Sequence, residues 1–220
     1  MRVKICGTTS DEDARLAVSL GADALGFLVG LNYPADDEIS ADTARSIIRK
    51  QPPFISSVLV THKNDPSWIV ETAQVIGCNT LQLHGDVPLK ELEGIRSRLP
   101  YLKIIKTIHV QSDEAVMAAL EAEKVADAIL LDTITDERLG GTGKTHDWSI
   151  SRKIVEALNA PVILAGGLTP ENVREAITYV RPFGVDVNSG VEHPNGKKSP
   201  ARVRDFILRV HEAIRELTGR

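Results

Sequence analysis

Cysteine is scarce, with only Cys6 and Cys78 in 220 residues. At most one disulfide is available, which excludes a small secreted scaffold held by cross-links, and both are expected as reduced thiols. Basic excess is lacking too. Lys and Arg number 26 against 30 Asp and Glu, a formal net charge of -4, so no overall positive field exists for a nucleic-acid backbone. No stretch approaches the roughly 18 apolar residues that span a bilayer, and "MRVKICGTTSDEDARLA" has no apolar leader core. The expectation is a soluble, cytoplasmic protein with neither nucleic-acid nor membrane partners. No Gly/Ser linker or abrupt composition change divides the chain, so a single domain over 1–220 is expected.

What remains is ordinary globular composition, 42% hydrophobic and 25% charged, which excludes a disordered chain. Val-, Ile- and Leu-rich runs recur at 2–5, 24–29, 55–60, 80–84, 103–108, 128–132, 161–166 and 183–188. Amphipathic stretches separate them at 10–20, 41–50, 65–76, 87–98, 112–124, 149–158 and 170–180, with a last one at 199–217. Runs apolar throughout are strands buried on both faces, and eight βα repeats predict an α/β protein, a (β/α)8 barrel. An open doubly wound sheet is the rival fold. Thr9 with Glu12 reads as a capping box, Thr169 with Pro170 as a capped helix start, and Gly21 and Gly77 as helix ends.

In such a barrel the chemistry gathers at the C-terminal ends of the strands. Those ends carry Cys6 and Gly7 near Lys4, then His84 and Gly85, Asp132, Gly166 and Gly167, and Asp186, Asn188, Ser189 and Gly190. Glycines after the seventh and eighth runs suit a phosphate held close to the backbone, although tight turns alone would also use them. "LGGTG" at 139–143, with Gly141, reads as a loop able to close over a ligand or as plain surface loop. Asp132 ends an apolar run, where desolvation would raise its pKa and suit a general acid. The bland reading is a carboxylate accepting loop N–H bonds. Cys6 would serve as base or nucleophile if something lowered its pKa toward neutrality; otherwise, like Cys78, it packs as a small hydrophobe. His84 reads as a substrate ligand or a structural histidine. No His, Cys or carboxylate pair has metal-ligand spacing along the chain, and no Ser-His-Asp arrangement is evident.

"VKICGTT", "LQLHGD", "ILLDT", "GGTGKTHDW", "ILAGGLTPENV" and "GVDVNSGVE" followed by "GKK" resemble, in order and spacing, the motifs of the phosphoribosylanthranilate isomerase family of tryptophan biosynthesis. The resemblance covers nearly the whole chain and implies a (β/α)8 barrel without metal or organic cofactor. It implies an Amadori rearrangement of a phosphorylated small molecule, with Cys6 as general base and Asp132 as general acid. Lys4, His84, Gly141 and Asp186 would contact substrate, and Gly166, Gly167, Ser189 and Gly190 its phosphate. A monomer and a homodimer are both open.

Three departures stand out. The family usually carries Ser-Pro-Arg after strand 2, and its arginine holds the aromatic carboxylate; here "NYPADDEIS" at 32–40 puts Asp36, Asp37 and Glu38 there. "VTHKND" at 60–65 replaces a shorter polar ending, and His146 stands where Phe is common. Either Lys63 or His62 supplies the missing charge, or the amine differs. A third reading is a phosphate-ligand-binding barrel without catalysis. The aminoaldose isomerase of histidine biosynthesis normally uses two aspartates, so Cys6 speaks against it.

Overall fold

The apolar runs become strands, each with two parallel neighbours, as chains buried on both faces require. In the computed structural model, which describes residues 1–135, 138–139, 146–193 and 195–219, the strands are β1 (Arg2–Ile5), β2 (Ala24–Leu28), β3 (Ser56–Thr61) and β4 (Thr80–Leu83). They continue with β5 (Lys103–His109), β6 (Ala128–Asp132), the ribbon strands β7 (Ile134–Thr135) and β8 (Arg138–Leu139), then β9 (Val162–Leu164) and β10 (Gly184–Val187). All but the ribbon close into a ring in the order β1-β10-β9-β6-β5-β4-β3-β2. The expected (β/α)8 barrel is therefore the fold, and the open sheet is excluded. Among the described residues no helix is long and apolar enough to cross a membrane.

Among the described residues eight α-helices cover the ring: α1 (Asp11–Leu20), α2 (Ala41–Ile48), α3 (Pro66–Ile76), α4 (Leu89–Arg98), α5 (Glu114–Ala122), α6 (Trp148–Ala157), α7 (Val173–Val180) and α8 (Pro200–Thr218). Their inner stripes bury Ile69, Ile76, Leu92, Ile177 and Phe206 against strand residues such as Ile5, Phe27, Leu81 and Leu131 in one continuous core. Each such side chain contributes about 1.5–3 kcal/mol by burial. Gly21 and Gly77 end α1 and α3 in the left-handed region, at φ 106° and 74°.

Two cap expectations move. Ser10, not Thr9, caps α1: its side chain accepts from the Asp13 amide, while Thr9 Oγ1 donates to the Asp13 carboxylate. Helix α7 starts at Val173 behind Asn172, because Thr169 spends its hydroxyl on the Glu171 amide in a local turn.

Register brings distant residues level at the mouth. Parallel pairing sets Lys4 beside Asp186 and His109 beside Asp132. One strand end therefore supplies each of the polar groups considered next.

Candidate active site

At the β1–β10 side, Lys4 and Asp186 are buried and joined by a 2.6 Å ion pair, with side chains 5% and 8% exposed. The Lys4 ammonium also acts on the Cys6 thiol, so one cation serves thiol and carboxylate. Asp186 Oδ1 is buried without a partner among the described residues. Lys4 gains from both neighbours and its pKa is raised, despite the larger opposing cost of burial. The lowering toward neutrality that a resting thiolate needs is not found: burial pushes Cys6 up to about 11, with Asp186 adding to the rise and Lys4 offsetting part of it. The resting group is a thiol. Cys6 faces Gly26, where an added Cβ would lie 2.6 Å from its Sγ, so glycine is what makes room for the sulfur. Cys78 is buried near a helix end and fits the packing role.

Three strands round the ring lies Asp132. Its Oδ2 is 3.0 Å from His84 Nε2 and its Oδ1 accepts the Thr133 amide at 2.8 Å. Burial alone would raise its pKa, as the sequence predicts, but the His84 hydrogen bond and charge, the Thr133 amide and His109 together bring it below the ordinary carboxylate value. That expectation is reversed: the resting acid is ionised. His84 Nδ1 lies 3.4 Å from both Gln82 Nε2 and Thr107 Oγ1, which orient the ring. His62, His84 and His109 follow one another with ring centroids 5.1 Å apart, and Tyr33 adjoins His62 at 5.2 Å. Sequence reading missed His109 because the fifth apolar run closes at Ile108 and the strand continues one residue further.

The three carboxylates of 32–40 do not act as a group. Glu38 folds back and accepts the amides of Gly30 and Leu31 at 3.0 and 2.9 Å. Asp37 accepts from Asn188 Nδ2 at 2.7 Å, across the mouth beside β10. Repulsion of an aromatic carboxylate by all three together is therefore not what this loop provides. His62 is held neutral at rest: burial first, then His84 and His109, lower it to about 4. Lys63 remains, half-exposed, with its Cγ against Gly30.

Gly166 and Gly167 follow β9 at φ 78° and 67°, and a Cβ on Gly166 would lie 2.3 Å from Thr133 Oγ1. Gly190 approaches the Leu168 carbonyl, where a Cβ would come within 1.9 Å. These glycines bring the β9 and β10 loops together, with Ser189 exposed beside them. Lys198, within the "GKK" quoted above but given no role there, is buried, with Nζ 2.6 Å from Asn188 Oδ1 and 2.5 Å from Glu192. Gly141 lies outside the described residues. His146 bridges Thr133 Oγ1 at 2.9 Å and Ser151 Oγ at 2.5 Å, fastening the loop after β6 to α6.

The family model for N-(5'-phosphoribosyl)anthranilate (PRA) isomerase matches residues 3–209. An N-(5'-phosphoribosyl)anthranilate isomerase of Methanocella arvoryzae is 47% identical over 209 residues, covering 95% of this chain and 97% of its own. The crystal structure of phosphoribosyl anthranilate isomerase from Thermotoga maritima superposes with a TM-score of 0.86 at 40% identity, covering 96% of this chain and 99% of that one. A second isomerase structure, in complex with reduced 1-(o-carboxyphenylamino)-1-deoxyribulose 5-phosphate, gives 0.83 at 37%, with the same coverage. With this match running from the first strand into the last helix, the chain belongs to the N-(5'-phosphoribosyl)anthranilate isomerase family.

Proposed function

We propose that this barrel converts N-(5'-phosphoribosyl)anthranilate to 1-(o-carboxyphenylamino)-1-deoxyribulose 5-phosphate, a step of tryptophan biosynthesis. The observation that carries the reading is the placement of a thiol and a carboxylate, Cys6 and Asp132, at strand ends three apart round one barrel mouth. Asp132 is the acid that delivers a proton to the furanose oxygen as the ring opens to a Schiff base. Cys6 is the base that takes the proton from C2, leaving an enolamine that tautomerises to the ketone.

The resting protonation states bear on how the cycle starts. Cys6 holds a proton and Asp132 does not, so the reactive form has the proton on the other partner. Lys4 stabilises the thiolate once it forms, and Asp186, with an unpartnered Oδ1, stands next to that ammonium. His84 shares its hydrogen bond with Asp132 and orients the carboxyl toward the sugar. Gly166, Gly167, Ser189 and Gly190 hold the phosphate, and that anchor fixes the sugar between acid and base. Lys63 is the cation assigned to the aromatic carboxylate.

Complementation of a tryptophan auxotroph lacking the isomerase tests the reading, with Cys6→Ala and Asp132→Ala as controls. Growth with the unaltered chain alone is the expected result; growth with either control removes that residue from the proposed roles. Steady-state kinetics of Lys63→Ala tests the carboxylate anchor, with a raised KM expected. An unchanged KM sinks that assignment.

A further inference from the structure

His84 follows β4, and the adjacent strands β5 and β6 end in His109 and Asp132; one ligand atom from each lies within 4.8 Å of the others. We infer that these residues form a binding site for a borderline divalent transition ion of the Zn2+, Co2+ or Ni2+ class. Bonds of about 2.0–2.2 Å would require the three atoms to close to about 3.3 Å in a tetrahedral site. His84 and Asp132 already stand at 3.0 Å, so the adjustment falls on the His109 ring.

The surroundings fit. His109 Nδ1 is buried with no partner among the described residues, and coordination through it would give it one. The far nitrogen of His84 faces Gln82 and Thr107 at 3.4 Å, the outer contacts that fix a ligating imidazole. The neighbouring cation, Lys106, is turned to the Gly85 carbonyl at 2.8 Å. Two imidazoles and one carboxylate select against Mg2+ and Ca2+, which prefer oxygen ligands, and they leave coordination positions open to water. Such a set is invisible along the chain because the ligands come from separate strands.

Binding stands on this geometry alone. Its consequence rests on the reading of Asp132 as the acid: an ion that takes the Asp132 carboxylate prevents proton delivery, so the metal is a reversible inhibitor and not a cofactor.

The test is titration of the full, chelator-treated protein with Co2+, followed by visible absorption, with Zn2+ as competitor and Mg2+ as control. One saturable equivalent, displaced by Zn2+ and untouched by Mg2+, is expected. His109→Gln and Asp132→Asn each weaken it by more than the roughly 10–100-fold typical of losing an outer contact. Paramagnetically shifted histidine ring protons in the Co2+-loaded unaltered protein identify the ligands even if a variant fails to fold. No saturable binding, no shifted ring protons, or full-strength binding by both variants overturns the site. If Co2+ binds as described but Zn2+ leaves isomerase turnover unchanged, the site stands and the acid role of Asp132 falls.

Discussion

On the β1–β10 side of the mouth charge is buried as an ion pair, Lys4 with Asp186, while on the β4–β6 side imidazoles surround a single carboxylate. The difference shows in the two proposed proton carriers. Beside the ion pair, burial outweighs Lys4 and leaves Cys6 protonated. Beside the imidazoles, hydrogen bonds outweigh burial and leave Asp132 ionised. Burial acts in the same direction on both acids, so what separates them is the number of donors each meets. Cys6 is offered an ammonium already shared with Asp186 and the weaker charge of Lys198, whereas Asp132 is offered the His84 imidazole, a backbone amide and the charge of His109.

Removing either carrier gives the largest expected effect. Asp132→Asn and Cys6→Ser should each lower kcat by about 10²–10⁴, the usual worth of a positioned acid or base, in a direct isomerisation assay. A loss confined to one of them would show that the two sides are not partners. Next comes Asp186→Asn, which leaves the Lys4 ammonium buried without its counter-charge. A loss of about 3–5 kcal/mol in urea unfolding is expected. A much smaller loss would mean that Lys4 is satisfied by Cys6 alone.

Alkylation of Cys6 as a function of pH sharpens the comparison further, in a Cys78→Ala background because burial raises that thiol to about 11 as well. The thiolate is the reactive form and the folded pKa is raised, so the rate should climb through pH 8–10 and level near 11. An ordinary cysteine would level near about 8.5. In the Asp186→Asn protein the curve should move to lower pH, since Asp186 contributes to the rise. The smallest effect belongs away from both sides. Arg181 caps α7 in the left-handed region at φ 56°, so Arg181→Gly should stabilise by about 0.5–1 kcal/mol with kcat unaltered.

The barrel was legible because its signal is repeated. Strand β6 and strand β1 fall on the runs at 128–132 and 2–5, β2, β4 and β5 differ by a residue at one end, and β3 is shifted by one residue, since a buried parallel strand must be apolar throughout. Caps were less legible. Ser10 and Thr9 carry the same chemistry one residue apart, and only the backbone path decides between them. Residue types at the strand ends were readable as well, and Cys6, His84 and Asp132 gather at the mouth. Their ionisation was not, because it depends on neighbours from other strands: Asp186 is 182 residues from Lys4 and sets the charge beside Cys6. Likewise "ADDE" suggests a block of negative charge, yet Glu38 turns onto its own backbone while Asp37 crosses to Asn188.

Gly7 sits at φ 68°, and a Cβ there would come 2.3 Å from Asn188 Oδ1, 2.7 Å from Asp37 Oδ2 and 3.0 Å from Lys198 Nζ. Groups from two connections, β2 to α2 and β10 to α8, thus share one methyl-sized clearance above the first strand. The loop carrying Asp37 and the one beyond β10 are held in a common position by that clearance, like wards fitted to a single key. Alanine at this position would have to spread them, shifting the rim of the mouth on the β10 side while the strands beneath kept their register.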